Sequence, residues 1–285
     1  MASGKVSSDY AGIGNKTAML EAARSASSRT DAYQSVTQAA LNQVDLQDTQ
    51  LTAVSGLADQ LRQAVTKAVA DNDATTLMAN AGGIFEQLKQ ILNSQDADGN
   101  YIYGGNKDNT PPVTANSISD LSSLSSASDA FANGHVARSV TVADGETVKI
   151  GVLASDVGQQ LMQALKDVAD FNAGPNGGFG TGLTQAQANF LSGEIGSATA
   201  ASQNINNLAA VNGQTYAQLQ DASDRQQSMS TLYKGFVSDL EDVDMGEAIS
   251  RLNQNQVALQ AALQVTSQLH QISLLNYLPA SGTPG

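Results

Sequence analysis

Asp96, Asp98 and Asn100 set three oxygen-bearing side chains at alternate positions, which is how a calcium-binding loop opens. Such a loop turns on a glycine at its sixth position and closes on a bidentate glutamate at its twelfth. Those positions hold Tyr101 and Lys107, so the segment reads as a turn. Asp239, Glu241, Asp242 and Asp244 gather enough charge to attract a cation, but the pattern equally marks a helix junction or a solvated face, and that is the reading taken. The run from Gly174 to Gly182 lacks the Lys-Ser/Thr pair and the preceding strand of a phosphate cradle. Only two histidines occur, His135 and His270, and the second lies in an amide-rich helical pattern as a packing residue. With no cysteine there is no thiol nucleophile, zinc–thiolate site or disulfide framework. No Ser–His–Asp set can be argued. The expectation is no catalytic residue, no metal and no cofactor.

Composition narrows the classes further. The 285 residues carry 14 basic and 27 acidic side chains, a net charge of −13, which argues against a nucleic-acid or anionic-membrane binder. Charged residues are only 14% and aromatics 5%, with no Trp, so an aromatic-filled globular core is not expected. No stretch of about 18 apolar residues could span a bilayer, and the first residues lack the apolar core of a secretory signal.

The elements that position these residues are mostly long helices. From about Thr17 to Ala70 there is no Pro and one Gly. Leu51, Val54, Ala58, Leu61, Val65 and Ala68 recur at spacings of three and four, the seam of a coiled coil, and Tyr33, Val36, Ala40 and Val44 extend the stripe. At 1.5 Å per residue this helix runs roughly 80 Å. Asp71-Asn72-Asp73 interrupts it, and Asp73 is read as N-cap of a second helix over 74–93 with Leu77, Ile84, Leu88 and Leu92 on one side. Residues 95–152 differ: turn chemistry, a Ser-rich stretch, then alternation at Val136, Arg138, Val140 and Val142, a turn at Asp144-Gly145, and alternation at Val148, Ile150 and Val152. This predicts a β-hairpin. Helix returns over 155–171, a glycine loop follows, and a last long helix runs from Thr184 to about Val243, with Leu191, Ile195, Ala198, Ile205 and Leu208 and later Met229, Tyr233, Phe236, Leu240 and Val243 in its stripe. Two matched amphipathic helices at opposite ends of a chain pack antiparallel. The predicted fold is mainly α: a long antiparallel coiled-coil rod with a small β-containing insertion at its tip.

The segment from Asp244 to Leu278 is unusual. After Arg251 it contains no Asp, Glu, Lys or Arg, while Ile249, Leu252, Leu259, Leu263, Val265, Leu269, Ile272, Leu274 and Leu275 spread over more than one face. A solvated helix normally carries charge on its outer side. One without charge, lined with amides, suits burial against other copies of itself; a frayed tail, or a helix folded back on its own rod, is the plainer alternative.

In these features the chain resembles the bacterial flagellin family, which includes the hook–filament junction proteins. Ser3-Gly4-Lys5-Val6 resembles the family's Ser-Gly-Lys motif, and Ser7-Ser8-Asp9-Tyr10-Ala11-Gly12 the loop after it. Leu240-Glu241-Asp242-Val243-Asp244-Met245-Gly246-Glu247-Ala248 is similar to the family's acidic junction between outer and inner C-terminal helices. Leu263-Gln264-Val265-Thr266 and Ser273-Leu274-Leu275-Asn276-Tyr277-Leu278 look like its C-terminus. The Gly99–Pro112 stretch, with Tyr101, Tyr103, Gly104 and Gly105, is more like the junction members than the filament flagellins. In the family another helix precedes the Ser-Gly-Lys motif and pairs with the C-terminal helix; this sequence begins at the motif, so residues of about 245–278 are expected to be poorly ordered or to pack in a non-native way. Gln60-Leu61-Arg62-Gln63-Ala64-Val65 only loosely resembles the segment recognised by a Toll-like receptor, and no receptor activation is expected.

The resemblance implies a non-enzymatic structural subunit of the flagellum, outside the cell and exported without a cleaved signal peptide. Its partners would be itself in a helical homopolymer or ring, other axial proteins, and the export apparatus with its chaperone, with no nucleic acid and no membrane insertion. The expected domains are 1–94 and 153–243 as N- and C-terminal outer-rod helices, 95–152 as the variable insertion, and 244–285 as the inner-tube helix and tail. The expected assembly interface is Leu51, Val54, Leu61, Val65, Ile195, Ile205, Phe236, Leu240, Leu252, Leu259, Leu263, Leu269 and Ile272. Rival classes are a filament flagellin, a surface module gripping a ligand with the 95–152 insertion, an enzyme, and a coiled-coil translocator.

Overall fold

The computed structural model describes residues 16–241 and 245–275. Among them are six α-helices and one two-stranded sheet: α1 Thr17–Asp71, α2 Leu77–Leu92, α3 Ile118–Ser123, β1 Ser139–Ala143, β2 Glu146–Lys149, α4 Ala154–Ala173, α5 Gln185–Glu241 and α6 Met245–Leu275, with a 3₁₀ turn at Ala127–Ala130. The protein is mainly α, as the periodicity requires. It divides into two compact units, one of residues 28–230 and one from the two ends of the chain, up to Ser27 and from Thr231.

In the larger unit α1 and α5 pair antiparallel. Ser230 bonds Asp31 (2.8 Å), Gln226 bonds Thr37 (2.9 Å), Asn212 bonds the Val44 carbonyl (2.9 Å) and Ser202 lies 3.1 Å from Ser55, so one number rises as the other falls. The seam residues Leu51, Val54, Ala58, Leu61, Val65 and Ala68 are all buried, and α2, α4 and the start of α5 complete their core with Phe85, Leu88, Leu161, Leu165 and Leu191. The spacing of three and four thus becomes one continuous apolar stripe.

The end of α1 departs from expectation. Asn72 takes a left-handed conformation (φ 53°) and Asp73 N–H reaches back to the Ala68 carbonyl at 3.0 Å, closing the last turn. Asp73 does not cap α2. Its carboxylate accepts the Thr75 N–H at 2.9 Å, and the N-cap of α2 is Thr76, with no side-chain cap bond. Chain reversal here needs an extra turn, which uses Asp73 before the helix can start.

The hairpin forms as β1 and β2, antiparallel, with Gly145 at φ 77° in the turn. It does not sit at the tip. Val142, Val148 and Ile150 pack on Ala40, Leu41 and Val44 of α1 and on Leu219 and Ala222 of α5, so it lies along the flank of the helix pair. The end of the pair is instead closed by the Asn72 turn and the glycine loop: Gly182 N–H donates to the Asn72 carbonyl (2.8 Å) and Ala74 N–H to that of Gly180 (3.0 Å). Period-two alternation identified the strands but carried no information about which helix face they cover.

In the second unit Leu20 is buried and Arg24 forms an ion pair with Glu241. Here Met245–Leu275 forms the helix α6. The side chains of 242–249, 251 and 269–275 lie outside the described residues.

Candidate assembly surface

Every described side chain from Leu252 to Gln268 on α6 is exposed. Leu252 (55%), Leu259 (61%) and Leu263 (61%) follow one another at spacings of seven and four, on one side of the helix, while Val257 and Val265 lie on the other. No charged residue separates them, and Asn, Gln and Ala fill the positions between. Helix formation there satisfies the backbone but leaves the apolar side chains wet. A row of exposed apolar side chains with no charge among them marks a place suited to being covered.

The remaining predicted interface residues divide three ways. Leu51, Val54, Leu61, Val65 and Ile205 are buried in the chain's own core, and Ile195 packs against it. Phe236 is 49% exposed and Leu240 is half-buried. The side chains of Leu269 and Ile272 lie outside the described residues, as does that of His270. The heptad spacing could not say whether its partner was the same chain or another copy.

The candidate chemical sites resolve into structural roles. Asp96 Oδ1 accepts the N–H groups of Asp98 (3.0 Å) and Asn100 (2.9 Å), and its Oδ2 meets Arg138 Nη1 at 3.0 Å, so the would-be calcium loop is a turn held from inside. Burial raises the Asp96 carboxyl, yet the Asn100 N–H, the Arg138 guanidinium and the Asp98 N–H outweigh it and hold it below the usual range. Arg138 also reaches Asp108 Oδ2 through Nη2 at 3.0 Å and so joins the base of the hairpin to the 94–108 loop. Sequence alternation placed Arg138 in a strand pattern and missed this clamp; the signal available was a lone Arg among valines. The glycine loop is tied by Gln187 Nε2, 3.3 Å from the carbonyls of Asn176, Gly177 and Gly178, so carbonyls rather than N–H groups gather there. Glu241 is paired with Arg24, and Asp242 and Asp244 lie outside the described residues.

Residues 195–278 match the family model of the bacterial flagellin C-terminal helical region. Through this region the chain is similar to the flagellin family. The match takes in most of α5 and all of α6, where the exposed apolar residues lie. Among solved structures the chain is similar to one assigned as a flagellar hook-associated protein from Vibrio parahaemolyticus, with 18% identity and a TM-score of 0.63 over 82% of this chain and 99% of that one. It is similar also to FlgL of Bacillus cereus, with 13% identity and a TM-score of 0.50 over 70% of this chain and 98% of that one. At these identities the likeness is one of fold. No curated protein matches the sequence.

Proposed function

We propose that this chain is a structural subunit of the bacterial flagellum that works at the hook–filament junction, assembling by helix packing and carrying out no reaction. The observation that carries the reading is α6, uncharged from Leu252 onward with Leu252, Leu259 and Leu263 exposed along one side. Burying each leucine against a neighbouring copy contributes roughly 1.5–3 kcal/mol. Amides between them bond one another across subunits, where buried charges would cost several kcal/mol each. Because α6 presents apolar groups on two sides, one copy meets neighbours on both, which leads to a repeating head-to-tail association rather than a closed pair.

The partners on this reading are other copies of the chain and the adjoining axial proteins, reached by export without a cleaved signal and aided by a chaperone, outside the cell. No helix among the described residues is long and apolar enough to cross a membrane. The fold likeness to hook-associated proteins and the Gly99–Pro112 stretch favour the junction over the filament. A cell lacking the gene, complemented with the wild-type chain or with Leu263→Asp, tests the proposal. The wild type restores filaments and swimming; the variant is exported and folded but restores neither. Normal filaments from Leu263→Asp would refute it.

A further inference from the structure

Two contacts fix how α4 and α5 face each other. Asn204 Nδ2 donates to the Asp156 carbonyl at 3.1 Å near one end, and Phe171 stacks on Phe190 with centroids 4.1 Å apart near the other. This antiparallel register brings Glu194 of α5 opposite Lys166 and Asp167 of α4. Glu194 is 7% exposed, and its Oε2 is buried without a hydrogen-bond partner.

The charges around it do not neutralise it. Lys166, itself buried, directs its ammonium away to Asp170 Oδ2 and the Ser122 carbonyl, each at 3.0 Å. Asp167, negatively charged, accepts Gln163 Nε2 at 2.8 Å. On α1, the Ser55–Ser202 contact sets the level of Glu194 near Asp59 and Arg62, which hold each other at 3.3 Å. On α5 itself Ser197, one turn on, offers a hydroxyl.

A buried carboxyl that faces another carboxylate and has no counter-cation takes either a metal ion or a proton. A calcium ion wants six to eight oxygens. Among the described residues no group of three or more His, Cys, Asp or Glu could hold one. A proton needs no such cage.

We propose that Glu194 stands as the neutral acid in the folded protein, and that its burial opposite the charge of Asp167 makes the α4–α5 packing a pH-sensitive latch that weakens once Glu194 ionises. Burial first, and the Asp167 charge second, push its carboxyl up to about 7, with Ser197 offsetting part of the rise. The unfolded chain releases this proton near the ordinary carboxyl value of 4.5 while the folded chain keeps it. Folding stability therefore falls as pH rises from about 4.5 to about 7 and levels off above, where the charge is buried in full.

The test is thermal melting of the full chain from about pH 4 to about pH 9 for wild type, Glu194→Gln and Asp167→Asn, with ¹³C NMR titration of the glutamate carboxyls. Glu194→Gln should melt at the same temperature as wild type in acid and progressively higher as the pH rises from about 4.5 to about 7, with a constant gap above. Asp167→Asn should move the Glu194 midpoint to lower pH. If Glu194→Gln does not fold, the wild-type titration decides alone: a Glu194 midpoint near 7 supports the latch, and one among the other glutamates overturns it. A variant whose melting changes with pH as the wild type does would also overturn it. Calcium chloride that raises the wild-type melting temperature in alkali, but not that of Glu194→Gln, would replace the proton by a cation and overturn it as well.

Discussion

Asn212 on α5 donates from Nδ2 to the main-chain carbonyl of Val44 on α1 at 2.9 Å, with both residues buried. A lone amide in an apolar seam costs stability unless paired, and it is paired only in one alignment of the two helices. Gln226 acts alike, donating to Thr37 Oγ1 at 2.9 Å and to the Val142 carbonyl at 2.6 Å, so it fixes the helix pair and the hairpin together. Asn212→Ala is expected to lower stability by about 1–2 kcal/mol in urea unfolding, from the lost bond and the small cavity. No change in midpoint would remove Asn212 from the alignment of the pair.

Leu61 is fully buried in the core between α1 and its neighbours. Leu61→Asp there removes a large apolar group and introduces a charge without a partner, for a loss of 4 kcal/mol or more, on the order of half a domain's stability. Helical circular dichroism should melt at a sharply lower temperature. An unchanged transition would mean that Leu61 is not in the packed seam.

The hairpin is held at two places of unequal worth. At its turn Arg225 Nη2 meets both Glu146 oxygens, at 2.8 and 3.0 Å, with both side chains about half exposed. Arg225→Ala should cost less than about 1 kcal/mol, and less still in high salt. At its base Arg138 is only 27% exposed and joins Asp96 to Asp108. Arg138→Ala leaves two carboxylates facing each other and should cost several times more, read as lost amide-exchange protection in β1 and β2. Equal effects of the two substitutions would contradict this ordering.

Asp96 has its own pH signature. Its folded carboxyl lies below the unfolded one, so its stabilising contribution is present above the ordinary carboxyl range and is lost as the pH falls through the lowered value. Asp96→Asn should therefore melt below wild type at neutral pH, and the two curves should converge in acid. A constant gap at all pH values would show that charge at Asp96 plays no part. The sign is opposite to that at Glu194, so the two are separable in one titration.

Much of the fold was legible in the residues because long helices announce themselves through repetition. Leu51 to Ala68 gave the seam, Leu77 to Leu92 the second helix, and Val140 to Val148 the strands. What was not legible depended on three-dimensional choices that leave no local trace. Periodicity finds a buried face but not its partner, so Leu51, Val54 and Leu61 were read as contacts between copies although they lie in the chain's own core. The flank position of the hairpin follows from Val142 meeting Leu219 and Ala222, a contact across some eighty residues of sequence. Asp73 carries the chemistry of an N-cap and spends it on the turn before the helix. The charge-free C-terminal stretch was the part of the candidate surface most plainly written, because an absence of Asp, Glu, Lys and Arg over so many residues is visible without any structure.

The central claim is a place in the flagellum, and immunogold electron microscopy tests it most directly. An antibody raised against residues 95–152 would be applied to intact flagella of the source cells. The account predicts gold confined to a narrow band between hook and filament. Label along the whole filament would contradict the junction assignment and make the chain a filament subunit, and flagella without label would contradict the structural role itself.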